Sequence, residues 1–117
     1  MIISEPEYKA FMRRVVNEVA CRLNIGDPEI MDENTELLPA IEQRDRTALQ
    51  VMAAFRSSYR QWYSKSQELE LAASKEIDLT AIRMELMGLM KARDVTREAM
   101  IRYLDHHYPR SVSRIAV

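Results

Sequence analysis

The chain has 117 residues, 47% of them apolar, and its 17 basic and 18 acidic side chains leave a net charge of −1. That length supports one domain, burying roughly two-thirds of the surface its unfolded form exposes. Near-neutral charge argues against broad binding to nucleic acid or membrane surfaces, and one cysteine excludes an internal disulfide or a cysteine-rich zinc site. Only two glycines against eight methionines, with abundant Leu, Glu, Arg and Ala, point to an all-α fold.

The opening Met-Ile-Ile-Ser-Glu-Pro-Glu lacks the basic and apolar regions of a signal peptide. No window approaches the ~18 apolar residues of a membrane span, so a reducing, cytoplasmic setting is expected. Ser4, Pro6 and Glu7 form a helix start with a capping box. From there Tyr8, Phe11, Met12, Val15, Val16, Val19, Ala20 and Leu23 share one stripe, which predicts an N-terminal helix over about residues 5–23. Gly26 suits a left-handed cap and Pro28 stops the helix.

An acidic stretch follows, with Asp27, Glu29, Asp32, Glu33, Glu36 and Glu42 before the first compensating base at Arg44. A helical turn at 28–31 and a cap at Asn34 or Thr35 fit here, and Pro39 is tolerated near the start of the next helix. The acids favour a helix N-terminus, or form a handle for a basic partner.

From Ala48 the spacing is heptad-like. Ala48, Met52, Phe55, Tyr59, Trp62, Ser66, Leu69 and Ala73 alternate steps of four and three. After Asp78, a good cap, Leu79, Ile82, Leu86, Leu89, Arg93, Thr96, Met100, Tyr103 and His107 repeat the device, and Pro109 ends it. The phase carries through Asp94, favouring one helix over a break. These patterns predict a long antiparallel hairpin, about 36–73 and 78–108, covered by an N-terminal helix about 30 Å long. The expected fold is an all-α three-helix bundle spanning 1–108, with 109–117 an extended or flexible tail. The short link aligns Trp62 with Leu89, Tyr59 with Arg93, Phe55 with Thr96, and Asp45 with His107.

Four aromatics, Phe55, Tyr59, Trp62 and Tyr63, fall within nine positions of a stretch without acids from Arg46 through Gln67. Heptad phase turns the first three inward, with Arg93 stacked on Tyr59. The remaining edge, Arg56, Arg60 and Tyr63 with nearby Lys65, is the candidate partner-binding strip, since Tyr and Arg are common interface anchors. A nucleic-acid-binding reading of the same basic flank is the alternative, although stacking platforms need outward rings.

Other features read as structural. Asp105-His106-His107 cannot converge on one metal ion from adjacent helical positions. Cys21 lies opposite the apolar stripe with Ala10, Arg14 and Asn17, as a spectator thiol or under another subunit. Met87, Met90 and Met100 read as core filler, Met84 as surface, and Gly88 as a place where another helix could approach. No phosphate loop, nucleophile elbow or catalytic triad is present, and no cofactor is implied. The expectation is a small non-enzymatic protein–protein interaction module (adaptor, accessory factor or inhibitor), self-associating as a homodimer.

Overall fold

The computed structural model describes residues 3–25, 37–75 and 78–109. These form four helices and no strand: α1 (Glu5–Arg22), α2 (Leu37–Arg44), α3 (Arg46–Ala73) and α4 (Thr80–His107). The expected tail, the acidic loop from Asp27 to Glu36 and the turn at 28–31 lie outside the described residues.

Helix α1 starts as its sequence dictates, with Ser4 extended and its Oγ accepting the Glu7 amide at 3.3 Å. It ends within one residue of expectation, but the left-handed cap lies two residues before the expected Gly26: Asn24 takes that conformation at φ 55°. The Asn24 amide donates to the Cys21 carbonyl at 3.1 Å and the Ile25 amide to the Ala20 carbonyl at 2.9 Å. This is a Schellman close, and asparagine is among the few side chains that tolerate it. Ile25 packs onto the core, completing the motif.

The first arm of the hairpin is divided at Asp45. That residue is extended (φ −159°, ψ 101°), so α2 stops and α3 begins around it. Its own carboxylate offsets the break, accepting the Thr47 and Ala48 amides at 3.0 and 3.1 Å. Periodicity ran through this point because one extended residue changes the direction of the chain without erasing the apolar stripe. Helix α4 continues unbroken past Asp94. Asp78 lies one residue before its N-cap and accepts the Thr80 amide and hydroxyl at 3.0 and 2.7 Å.

The core sits at one end, termed here the base. Val16, Val19, Ala20 and Leu23 from α1 meet Leu37 and Ile41 from α2, Ala48, Met52 and Phe55 from α3, and Met100 and Leu104 from α4. Arg22 ties the end of α1 to the end of α4, donating to Asp105 at 3.0 Å and to the Tyr108 carbonyl at 3.1 Å.

Beyond Tyr63 the hairpin runs on, among the described residues, with only two helices. α3 and α4 have 28 residues each and so reach about 42 Å, whereas the 18 residues of α1 reach about 27 Å. The N-terminal helix therefore covers the base but not the whole groove. In the tip half, residues 61–73 and 80–94, the only buried residues are Ser66 and Ala72. The resulting radius of gyration, 16.7 Å, exceeds the ~13 Å of a compact chain this long.

Candidate functional site

The aromatic stretch is mainly the joint between α1 and α3. Tyr8 stacks on Tyr63 with centroids 4.2 Å apart, and Phe11 stacks on Tyr59 at 4.4 Å. Phe55 meets Phe11 edge-on at 6.0 Å. Phe55 and Tyr59 thus face α1 more than the hairpin seam. The stack expected between Arg93 and Tyr59 forms one turn away, with the Arg93 guanidinium 4.4 Å from the Trp62 ring centre. Nearly a full turn separates the two candidate rings on α3, too fine a difference for heptad spacing to resolve.

The four predicted site residues do not share a face. Arg56, Arg60 and Tyr63 gather around Tyr8, with Arg60 Nε donating to the Tyr8 hydroxyl at 3.3 Å. Burial, and then the neighbouring Arg60, push the Arg56 guanidinium below its usual value. Arg56 Nε is buried without a hydrogen-bond partner among the described residues. Lys65, five residues from Arg60, points about 140° away. It bridges Glu68 at 2.9 Å and Glu85 on α4 at 2.8 Å, and those bonds raise its pKa. Lys65 clamps the hairpin.

At the base, Asp45 collects more partners than any residue singled out from sequence. Its Oδ1 serves the two α3 amides, while Oδ2 accepts the hydroxyls of Tyr103 and Tyr108, both at 2.6 Å. Burial alone would raise this carboxyl, but the tyrosine and amide hydrogen bonds outweigh it and hold it below its ordinary value. The same bond, reinforced by burial, pushes the Tyr103 hydroxyl up to about 12. His107, the expected neighbour of Asp45, instead lays its ring against Tyr103 at 4.3 Å. With about four lone-pair sites all engaged, the carboxylate has no capacity left for a substrate proton. Asp45 is an architectural node. Its signal was present in the cap sequence Asp45–Ala48, but Tyr103 read as a seam residue and its hydroxyl was overlooked.

His106 and His107 turn their rings 88° apart, and Asp105 is committed to Arg22. Among the described residues no three His, Cys, Asp or Glu side chains converge as a metal site. Cys21 is exposed, as its position opposite the stripe predicts.

The surface that sequence did not single out lies at the tip. A groove of about 510 Å³ opens between α3 and α4, floored by Trp62, Leu69 and Ala73 on one side and Leu79, Leu86 and Met90 on the other. Glu70 and Arg83 stand on its rim. Leu71, Met84 and Met87 are 67–70% exposed around it and behind it. Met87 and Met90, expected as core filler, are therefore surface residues, because no third helix among the described residues reaches this level. Met100, at the base, is buried as expected. The signal was available in the length difference between the N-terminal pattern and the two heptad patterns.

No protein-family model, curated protein or solved structure matches the chain at a significant level. What it does must be read from its own surfaces.

Proposed function

We propose that this chain is a non-enzymatic protein–protein interaction module whose docking surface is the groove at the hairpin tip. One observation carries the reading: the heptad pattern continues for the full length of both helices, yet among the described residues no helix covers the three turns nearest the tip. Contiguous exposed apolar surface of this kind is costly to a free protein and is the usual mark of a binding groove. Each Leu or Met fully covered there contributes about 1.5–3 kcal/mol to an association. Methionines suit the purpose because the unbranched side chain adapts to what it meets.

The tip supports this role better than the basic flank does. Lys65 is already neutralised by two carboxylates, and Tyr63 presents its face to Tyr8. Arg56 and Arg60 remain as a smaller, secondary contact strip beside the α1–α3 joint. A nucleic-acid ligand would need more cations than Arg56, Arg60 and the exposed Arg46 supply, since each phosphate contact adds only a fraction of the affinity. No helix among the described residues is long and apolar enough to cross a membrane, and together with the single thiol this suits a cytoplasmic setting.

Affinity capture from the native host tests the reading. Wild-type protein is expected to retain a partner that a Met90→Glu variant of equal helicity releases. If the partner is instead released only by an Arg56→Glu, Arg60→Glu double variant, the docking surface is the basic flank and the tip reading is wrong.

A further inference from the structure

We infer that the cleft between α1 and α4 is a binding site for a medium-chain fatty carboxylate, its head held between Arg14 and Arg97 and its chain laid toward the base. The site belongs to the covered half of the molecule and does not depend on the reading of the tip groove.

The cleft exists because α1 leans toward α3. Tyr8 and Phe11 stack on Tyr63 and Tyr59, whereas Arg22 ties α1 to α4 only at the base. Between those attachments a cavity of about 260 Å³ remains. Its lining is mostly apolar: Phe11 and Val15 of α1, Phe55 of α3, and Met100, Ile101 and Leu104 of α4. Arg22 closes the base end, donating to Glu18 at 3.2 Å as well as to Asp105 and the Tyr108 carbonyl. A helix about 10 Å across would fill such a volume with roughly 3 Å of its length, less than one turn, so the cavity suits a slender chain instead.

The charges beside the cleft select the head group. Arg22 is already bonded to Glu18 and Asp105, and Arg93 of the adjoining hollow to Asp94. Arg14 on α1 and Arg97 on α4 line the cleft from opposite sides, both are exposed, and among the described residues neither has a salt bridge. The Arg14 guanidinium lies 5.9 Å from the Phe11 ring centre, a contact that leaves its N–H groups able to donate. Two guanidinium forks over an apolar floor match an anion with an apolar body. Glu18, one turn from Arg14, and Asp94, one turn from Arg97, would repel a second negative charge. That favours a carboxylate over a phosphate dianion. From Arg97 to Leu104 the cleft follows α4 for about 10 Å, the length of an extended chain of about eight carbons.

Isothermal titration calorimetry of the intact chain with sodium hexanoate, octanoate, decanoate and dodecanoate, each kept below micelle formation, tests the inference. Binding at one site is expected, tightening about two- to fourfold per added methylene as far as about eight carbons and levelling off beyond. Arg14→Gln and Arg97→Gln should each weaken octanoate about tenfold, through loss of a charge-assisted hydrogen bond. Met90→Glu, in the tip groove, should leave it unchanged. Ile101→Trp should fill the cleft and abolish binding. Should that variant lose helicity, the two arginine variants decide, since both side chains are exposed and lie outside the core. The inference is overturned by a chain that binds none of the acids, or by octylamine binding as tightly as octanoate. Affinity that climbs unchecked through dodecanoate, or that ignores both arginine substitutions, overturns it equally. Binding abolished by Met90→Glu would put the acid in the tip groove and defeat the assignment to this cleft.

Discussion

At the base of the hairpin, Ala48, Met52 and Phe55 of α3 and Met100 and Leu104 of α4 are buried beneath α1 and α2. Farther along the same two helices, Ser66 and Ala72 are the only buried side chains, and both are small. The heptad spacing is equally good in both halves. A heptad pattern specifies which face of a helix is apolar; how well that face is covered depends on what else reaches the same level. The base is held by burial, whereas the tip is held by two polar devices, the Lys65 bridges to Glu68 and Glu85 and the Arg93 stack on Trp62.

The contrast is sharpest under truncation of matched residues. Met52 is fully buried, so Met52→Ala removes packing that the surrounding core cannot refill and should cost about 2–5 kcal/mol. Leu86 is half-buried beside the open groove, and Leu86→Ala should cost about 1 kcal/mol or less. Urea unfolding at low protein concentration measures both. Equal losses would mean that the tip has a core of its own and would erase the distinction between the two halves.

The Asp45 node sets the next largest effect. Asp45→Ala removes an N-cap and the acceptor for two tyrosines, an expected loss of about 2–3 kcal/mol. Its pH dependence has a definite sign. The carboxyl lies below its ordinary 3.8 in the fold, so its contribution is complete above that value and disappears as pH falls through the lower native one. Tyr103 works the other way: raised from 10.0 to about 12, it contributes fully below pH 10 and loses that contribution as pH climbs toward 12. Tyr103→Phe should flatten the alkaline limb of the stability profile and reduce the acid one, leaving the shape unchanged in between. An unaltered alkaline limb would show that this hydroxyl does not anchor the base.

Much of this architecture was legible in the residues. Ser4, Pro6 and Glu7 announce the start of α1, and its stripe from Met12 to Leu23 is the stripe that is buried. The hairpin and its uninterrupted second arm followed from heptad phase. What escaped was geometry finer than a helical turn. Asn24 took the cap expected of Gly26 because asparagine tolerates the left-handed conformation two residues after the helix ends, and α2 separated from α3 because Asp45 can cap while extended. The aromatic strip was misread for a related reason: spacing shows that Phe55 and Tyr59 point inward, but not whether α1 or α4 receives them. The tip groove was the largest omission. Periodicity counts apolar positions without asking how far the covering helix extends.

The smallest expected effect probes the face of the tip turned away from the groove. Gly88 was read from sequence as a place where another helix might need close approach, yet a Cβ built on it meets nothing within 4 Å. Among the described residues, then, the glycine serves no packing purpose and only weakens α4. Gly88→Ala should stabilise the protein by about 0.5–1 kcal/mol, read as a rise of a few degrees in Tm. Because Gly88 does not line the groove, retention of a partner in affinity capture should be unchanged. A variant that is less stable, or that retains its partner more weakly, would show a second helix packed against the outer face of α4. The tip would then be covered from behind, and the exposed Met84 on that side of the helix would become the better guide to the docking surface.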